Sequence, residues 1–277
     1  MHSAAQSLLA GAEAAPELPR VPHLRPLYDL GCTIPAGDPV MVCGRSGTMK
    51  SLFVMWLCHM LGLPTIYFSA DMNPRTVGFR LAAMATGHTT KQVKAAFARK
   101  DGHGQYVEAL ASSPISWEYD SPITWAAIDQ ALDAHVEVWD AWPRILVIDN
   151  LMDVEGAAAD YTAQMDAMQG ITELTRDIGC TTIILHHASD KPQSKQDPWK
   201  PPARSEVKGG MSEKPGLSLS VALDPQTNEY RIAVTKNRHG PSDPSAQTWA
   251  SLYVDPDTCR FYPSKPVPGS TASLGRY

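Results

Sequence analysis

Val42-Cys-Gly-Arg-Ser-Gly-Thr-Met-Lys-Ser-Leu-Phe53 (VCGRSGTMKSLF) is the stretch from which the rest of the chain is read. On its left, Pro39 to Cys43 (PVMVC) has the content of a short buried strand; on its right a helical pattern starts near Lys50. A Gly-bearing turn between strand and helix is the setting of a phosphate loop, whose backbone N–H groups face a phosphate at a helix N-terminus. Gly44, Arg45, Ser46, Gly47, Thr48, Met49, Lys50 and Ser51 are therefore the candidate nucleotide-binding residues. Lys50 is placed to reach the β- and γ-phosphates and Ser51 to bind Mg²⁺, so ATP and Mg²⁺ are the expected cofactors. The strict pattern is GxxxxGK[ST], and Met49 stands where its second Gly belongs. The loop amides survive that change; freedom at positive φ and close approach to the phosphates are what it reduces. Taken alone, the motif also fits an ordinary strand-to-helix turn that happens to hold Lys-Ser.

Working outward, the pattern alternates. Thr65 to Ser69 (TIYFS), Ile115 to Tyr119, Arg144 to Asp149 (RILVID) and Thr181 to Leu185 (TTIIL) read as strands. Between them lie helical spacings at Pro74 to Thr86, at Trp125, Ile128, Leu132, Val136 and Trp139, and at Met165, Met168, Ile171, Leu174 and Ile178. Strands separated by helices imply right-handed βαβ units, hence an α/β fold with a mostly parallel central sheet flanked by helices. The end changes character: Leu217, Leu219, Val221 and Leu223 alternate with small residues, a DPQTN turn follows, and Tyr230, Ile232 and Val234 alternate again. This predicts a C-terminal antiparallel hairpin with one wet face, followed by a further pair around Leu252 and Phe261 flanking DPDT. Residues 1–20 read as a flexible arm, 21–262 as the folded domain, and 263–277 as a disordered tail.

Composition excludes several classes. At 277 residues with 43% hydrophobic and 19% charged, the chain can bury a substantial core without disulfides. Its net charge of −5 gives no global basic field, so nucleic-acid binding must come from a local patch or from assembly around a pore. Five cysteines, with no CxxC, argue against a disulfide framework or zinc site and fit a reducing cytoplasm. Ser51 to Ala70 is free of charge for twenty residues, but His59, Gly62 and Pro64 interrupt it, and it divides into a helix and a strand rather than a membrane span.

Other positions fit phosphate chemistry. Asp149 ends a hydrophobic strand, as a Walker B carboxylate does, and is a candidate Mg²⁺ residue with Ser51. Asp71 follows the second strand at the carboxyl edge of a parallel sheet, where it can polarise a water; its plainer role is an N-cap for the helix at Pro74. His186 and His187 end the fifth strand, and one of them is suited to sense a γ-phosphate.

On these residues the chain resembles the RecA-like P-loop ATPases, and within them the DnaB-type replicative helicases and plasmid RepA-type hexameric helicases. VCGRSGTMKSLF resembles the helicase P-loop apart from Met49. YFSADM at Tyr67–Met72 resembles the family's S-L-E-M strand end, with Asp71 in place of the catalytic Glu and one methylene shorter. VIDNLMDV resembles the Walker B strand, and DIGCTTIILHHASD resembles the RepA-type HHASK segment, where DnaB-type proteins carry Gln at the place of His187. VTKNRHGP at Val234–Pro241 resembles the K-x-R-N-G-P of DnaB-type helicases and the K-N-R-F-G of RadA-type proteins. The resemblance covers roughly residues 25–262 and implies that Lys236 and Arg238 reach across a subunit interface to a neighbour's γ-phosphate. It also implies catalytic roles for Lys50, Asp71 and His187. The N-terminal helical domain of DnaB-type proteins is expected to be absent, as in RepA-type helicases and stand-alone phage ATPases.

Such rings bind single strands through central loops. The candidates are 152–164 and 190–214; the second carries Lys191, Lys195, Trp199, Lys200, Arg204 and Lys208, suited to phosphates and base stacking. Its six basic and four acidic residues also fit a plain solvated loop. The expected function is an ATP-hydrolysing homo-oligomer, a hexamer as the resemblance implies, moving on single-stranded DNA in the cytoplasm with other replication proteins. A RecA- or RadA-like recombination ATPase and a weakly hydrolysing nucleotide-gated interaction module are the alternatives.

Overall fold

A computed structural model describes residues 17–99, 102–190 and 197–266. The elements follow in order: β1 (Val40–Gly44), α1 (Lys50–Leu61), β2 (Thr65–Ser69), α2 (Pro74–Thr86), α3 (Thr90–Arg99), α4 (Gly104–Leu110), β3 (Ile115–Glu118), α5 (Trp125–Trp139), β4 (Ile145–Asp149), α6 (Tyr161–Ile178), β5 (Thr181–His187), β6 (Leu217–Asp224), β7 (Glu229–Asn237), β8 (Ala250–Asp255) and β9 (Arg260–Tyr262). One sheet takes them in the order β3-β2-β4-β5-β1-β6-β7-β8-β9. Pairings from β3 through β6 are parallel, and those from β6 to β9 are antiparallel. The expected α/β class with a mostly parallel sheet and antiparallel C-terminal strands is what the chain forms.

The central strands are buried on both faces, and period-two alternation sorts their side chains into two cores. Val40, Val42, Tyr67, Val147, Ile183 and Leu185 join α1 and α2 on one side; Met41, Cys43, Phe68, Leu146, Ile148 and Ile184 join α5 and α6 on the other. Leu52 through Cys58 of α1 are all buried, which explains the charge-free run after the phosphate loop. No helix among the described residues is long and apolar enough to cross a membrane. All five cysteines are buried and free.

Three expectations change. β6 has no wet face: it lies between β1 and β7, parallel to β1, and Ser218 and Ser220 are fully buried. Small hydroxyls alternating with aliphatics read as a solvated face, yet Ser220 shares a hydrogen bond with Thr235 at 3.3 Å inside the sheet. Second, α3 and α4 fill what the sequence left unassigned between α2 and β3, with Val93, Ala96 and Tyr106 forming a satellite core against α2. Third, residues 17–20 pack rather than hang free: Leu18 is buried and its N–H donates to Ile34 O at 2.8 Å. Residues 1–16, 267–277, Lys191 and Lys195 lie outside the described residues.

Candidate active site

The phosphate loop joins β1 to α1 at the carboxyl edge of the parallel strands. Gly44 pairs in register with His187 of β5 and Val221 of β6. A Cβ on Gly44 would meet Thr48 Oγ1 at 2.6 Å and Val221 O at 2.9 Å, so only glycine lets the loop close here. Gly47 has φ +77°, and Met49 has φ 57° and ψ 30° as the residue before α1. Met49 therefore takes the left-handed conformation that the motif's second Gly would supply. Its side chain packs on the edge of the α1 core. The loop geometry is kept, at the cost of a strained residue.

Lys50 is buried, and its Nζ donates to the carbonyls of Gly44 and Arg45, each at 3.1 Å. Burial lowers its pKa, opposed by the nearby Asp149. Asp149 ends β4 beside it. The hydroxyls of Ser51 and Tyr67 donate to its carboxylate, the latter at 2.9 Å, while burial raises its pKa to about 6. Tyr67 is held in turn by stacking on Trp117 at 4.4 Å.

Asp71 is exposed just beyond β2. It does not cap α2: the Asn73 side chain does, accepting from Thr76 N at 2.9 Å. Asp71 Oδ2 instead accepts from Asn150 Nδ2 at 3.2 Å. Asn150 is fixed by its own capping turn, with its N–H donating to Asp153 and its Oδ1 accepting from Met152 N. The two histidines part company. His186 is fully buried, its Nε2–H donates to Lys208 O at 2.9 Å, and burial lowers its pKa to about 4. His187 points to the other face and lines the cleft, its pKa lowered by burial and by Lys50.

Ser46 to Leu52, Asp71, Asp149, Asn150 and His187 together line a cleft of about 490 Å³. Arg80, Thr90, Lys94, Pro256 and Cys259 line its far end. Sequence reasoning missed Asn150, Tyr67 and these distal residues; an Asn after the Walker B Asp was the one signal on offer. Among the described residues, no three His, Cys, Asp or Glu side chains cluster as a metal cage. The Ser51 hydroxyl and Asp149 carboxylate instead fit a Mg²⁺ held mainly by nucleotide phosphates and water.

Lys236 and Arg238 lie elsewhere. Lys236 opposes Ser218 of β6, which opposes Met41 of β1, three residues before Gly44. They sit toward the amino edge of the parallel strands, away from the cleft. Lys236 Nζ donates to Glu213 O, and Arg238 donates to Lys214 O at 3.1 Å. Burial, Arg238 and Arg204 together lower the Lys236 pKa to about 8. Trp199, Lys200, Arg204 and Lys208 belong to a segment that is not open loop throughout: Ala188 bridges to Val207, and short 3₁₀ turns span Arg204–Glu206 and Lys208–Glu213. Trp199 is 38% exposed. Lys200 and Arg204 line a cleft of about 980 Å³ beside the phosphate loop.

An AAA domain family matches residues 4–193, more than half of the chain. The chain belongs to this family. Its site is accordingly that of a P-loop nucleotide-binding domain. The chain is 28% identical over 268 residues to the Gene 65 protein of Mycobacterium phage L5, covering 94% of this chain and 98% of that protein. A second Gene 65 protein, from Mycobacterium phage D29, is 27% identical over 229 residues, covering 80% and 97%. The fold matches a solved, isolated ATPase domain with a TM-score of 0.77 at 17% identity, covering 94% of this chain and 98% of that one. It also matches a DnaB-like replicative helicase with a TM-score of 0.75 at 16% identity, covering 95% and 67%.

Proposed function

We propose that this chain is an ATP-hydrolysing motor subunit that acts on single-stranded DNA as a homo-oligomer, a hexamer in its working form, with ATP at the subunit interfaces. The observation that carries the reading is the division of its charged groups. Lys50, Ser51, Asp149, Asp71 and His187 share one cleft, whereas Lys236 and Arg238 face away from it. A cation pair that cannot serve its own site is suited to serve a neighbour's.

In this reading the loop amides and Lys50 bind the phosphates, and Ser51 and Asp149 would hold Mg²⁺, which when bound offsets phosphate charge. Asp71, oriented by Asn150, accepts a proton from the attacking water. His187 donates to the γ-phosphoryl oxygen, and Arg238 and Lys236 from the next subunit stabilise charge developing there. Trp199, Lys200, Arg204 and Lys208, with Lys191 and Lys195, grip the strand. Cytoplasmic replication partners complete the reading.

The test is ATP hydrolysis with and without single-stranded DNA in wild type, Lys50→Ala and Arg238→Ala. DNA-stimulated hydrolysis lost in both variants is expected. Wild type that binds ATP without turnover, with DNA present, would sink the motor and favour a nucleotide-gated binding module; Met49 and the short reach of Asp71 are the features behind that second reading. Filaments rather than closed rings in electron micrographs would point to a RecA- or RadA-like recombination ATPase.

A further inference from the structure

Arg45, the second residue of the phosphate loop, is wired in two directions. Its carbonyl oxygen accepts from Lys50 Nζ at 3.1 Å and from Thr48 Oγ1 at 2.8 Å, so its backbone belongs to the loop's centre. Its side chain leaves the nucleotide cleft. Nε donates to Ser189 O at 3.2 Å, Nη1 to Lys200 O at 2.9 Å and Nη2 to Glu206 Oε1 at 2.8 Å. The ion pair is nearly enclosed, with the Arg45 and Glu206 side chains 13% and 6% exposed. The second Glu206 oxygen accepts from Ala203 N at 2.7 Å and closes the 203–206 turn. Ser189 N donates to Glu206 O at 2.8 Å, beside the Ala188–Val207 bridge. Trp199 lines a cleft with Arg45, Ser46, Gly47 and Thr48 themselves.

Phosphate binding by loop amides needs nothing from this guanidinium. An enclosed ion pair is a weak source of stability, because desolvation offsets the attraction, but a planar fork bonded to three acceptors fixes geometry well. The acceptors span the end of β5 and both sides of a turn. They are held by a residue whose backbone moves with the loop. A ligand that draws Lys50 Nζ from the Arg45 carbonyl acts directly on the residue that positions Lys200 and Glu206.

We propose that Arg45 is a positioning residue that carries the occupancy of the phosphate loop to the 197–207 segment through Glu206 and the Lys200 carbonyl. What the two ends bind, nucleotide and single-stranded DNA, rests on the function proposed above. The coupling itself rests on the contacts just described. It is reciprocal by necessity, so a ligand held by the segment also alters nucleotide affinity.

Backbone hydrogen exchange over residues 198–210 tests this in the full chain, with and without saturating Mg-ATP. Wild type is compared with Arg45→Lys, which keeps the charge but loses the fork, and with Glu206→Gln, which keeps the shape but loses the charge. Mg-ATP is expected to change exchange in wild type by about fivefold or more, within the usual range of coupling between sites. In both variants the change falls below about twofold while the ATP Kd, measured by calorimetry, stays within about threefold. An undiminished response in both variants, or no response in wild type at saturation, overturns the proposal. Anisotropy of a fluorescent oligothymidylate, run alongside, separates the two readings. A response lost in the variants, in a wild type that binds no oligonucleotide, leaves the Arg45 role standing and removes the DNA reading.

Discussion

Met49 shows how a single residue can break a motif while the geometry survives. Its φ of 57° is the value a glycine would take without cost, and its side chain recovers some packing on the α1 core. Met49→Gly relieves strain but adds unfolded-state entropy and removes that packing, so the unfolding free energy should change by less than about 1 kcal/mol. Met49→Val places a β-branched residue at positive φ and should cost about 1 kcal/mol or more, read from urea denaturation. His186 supplies a pH dependence of stability. Its folded pKa of about 4 lies below the ordinary value of 6.5, so below the latter the unfolded chain binds the extra proton. Its contribution is fully present above pH 6.5 and is lost as pH falls from there through 4. At full effect this is on the order of 3 kcal/mol. Urea denaturation at pH 7 and pH 5 should show His186→Gln losing less stability on acidification than wild type. Asn150→Ala, which frees Asp71, should lower kcat about tenfold with little change in the KM for ATP; an equal rise in KM would instead assign Asn150 to nucleotide binding.

At the scale of elements, the cleft depends on contacts between segments far apart in sequence. Arg260 of the short strand β9 donates to the carbonyls of Met84 and Ala85 at 2.7 and 3.3 Å, closing the last turn of α2 just before Gly87. A cation at a helix C-terminus with two carbonyl acceptors is worth about 1–2 kcal/mol. Arg260→Ala should lower thermal stability by that amount and loosen α2, whose Thr76, Phe79 and Arg80 line the cleft. Thermal denaturation followed by circular dichroism checks the first effect. The same scale shows where pattern reading succeeds. β1, β2, β4 and β5 are continuous apolar runs because helices cover both faces, and their ends at Gly44, Asp149 and His187 converge on the site as their order implies. β6 misleads because serine is small enough to be buried between strands, so its alternation marks two buried faces rather than one wet one. α3 escapes notice because its apolar positions are mostly alanine and pack only on a satellite core.

At the scale of the whole molecule, the separation of Lys236 and Arg238 from the cleft leads to a complementation experiment. If sites are built between subunits, Lys50→Ala and Arg238→Ala preparations are each inactive, but mixing them restores measurable hydrolysis at interfaces that join an intact phosphate loop to an intact Arg238. Mixtures as inactive as their components would overturn the trans assignment. The sequence by itself determined the α/β class, the strand-to-helix context of the phosphate loop and the carboxylates at strand ends, because these depend on local periodicity and on which chemistry a short spacing permits. Tertiary structure alone decided that Asn73 rather than Asp71 caps α2, that His187 rather than His186 reaches the cleft, and that Arg45 turns toward Glu206. Those outcomes rest on which face of a strand a neighbour covers and on contacts spanning 79 residues for Asn150 with Asp71 and 161 for Arg45 with Glu206, distances over which no local pattern acts.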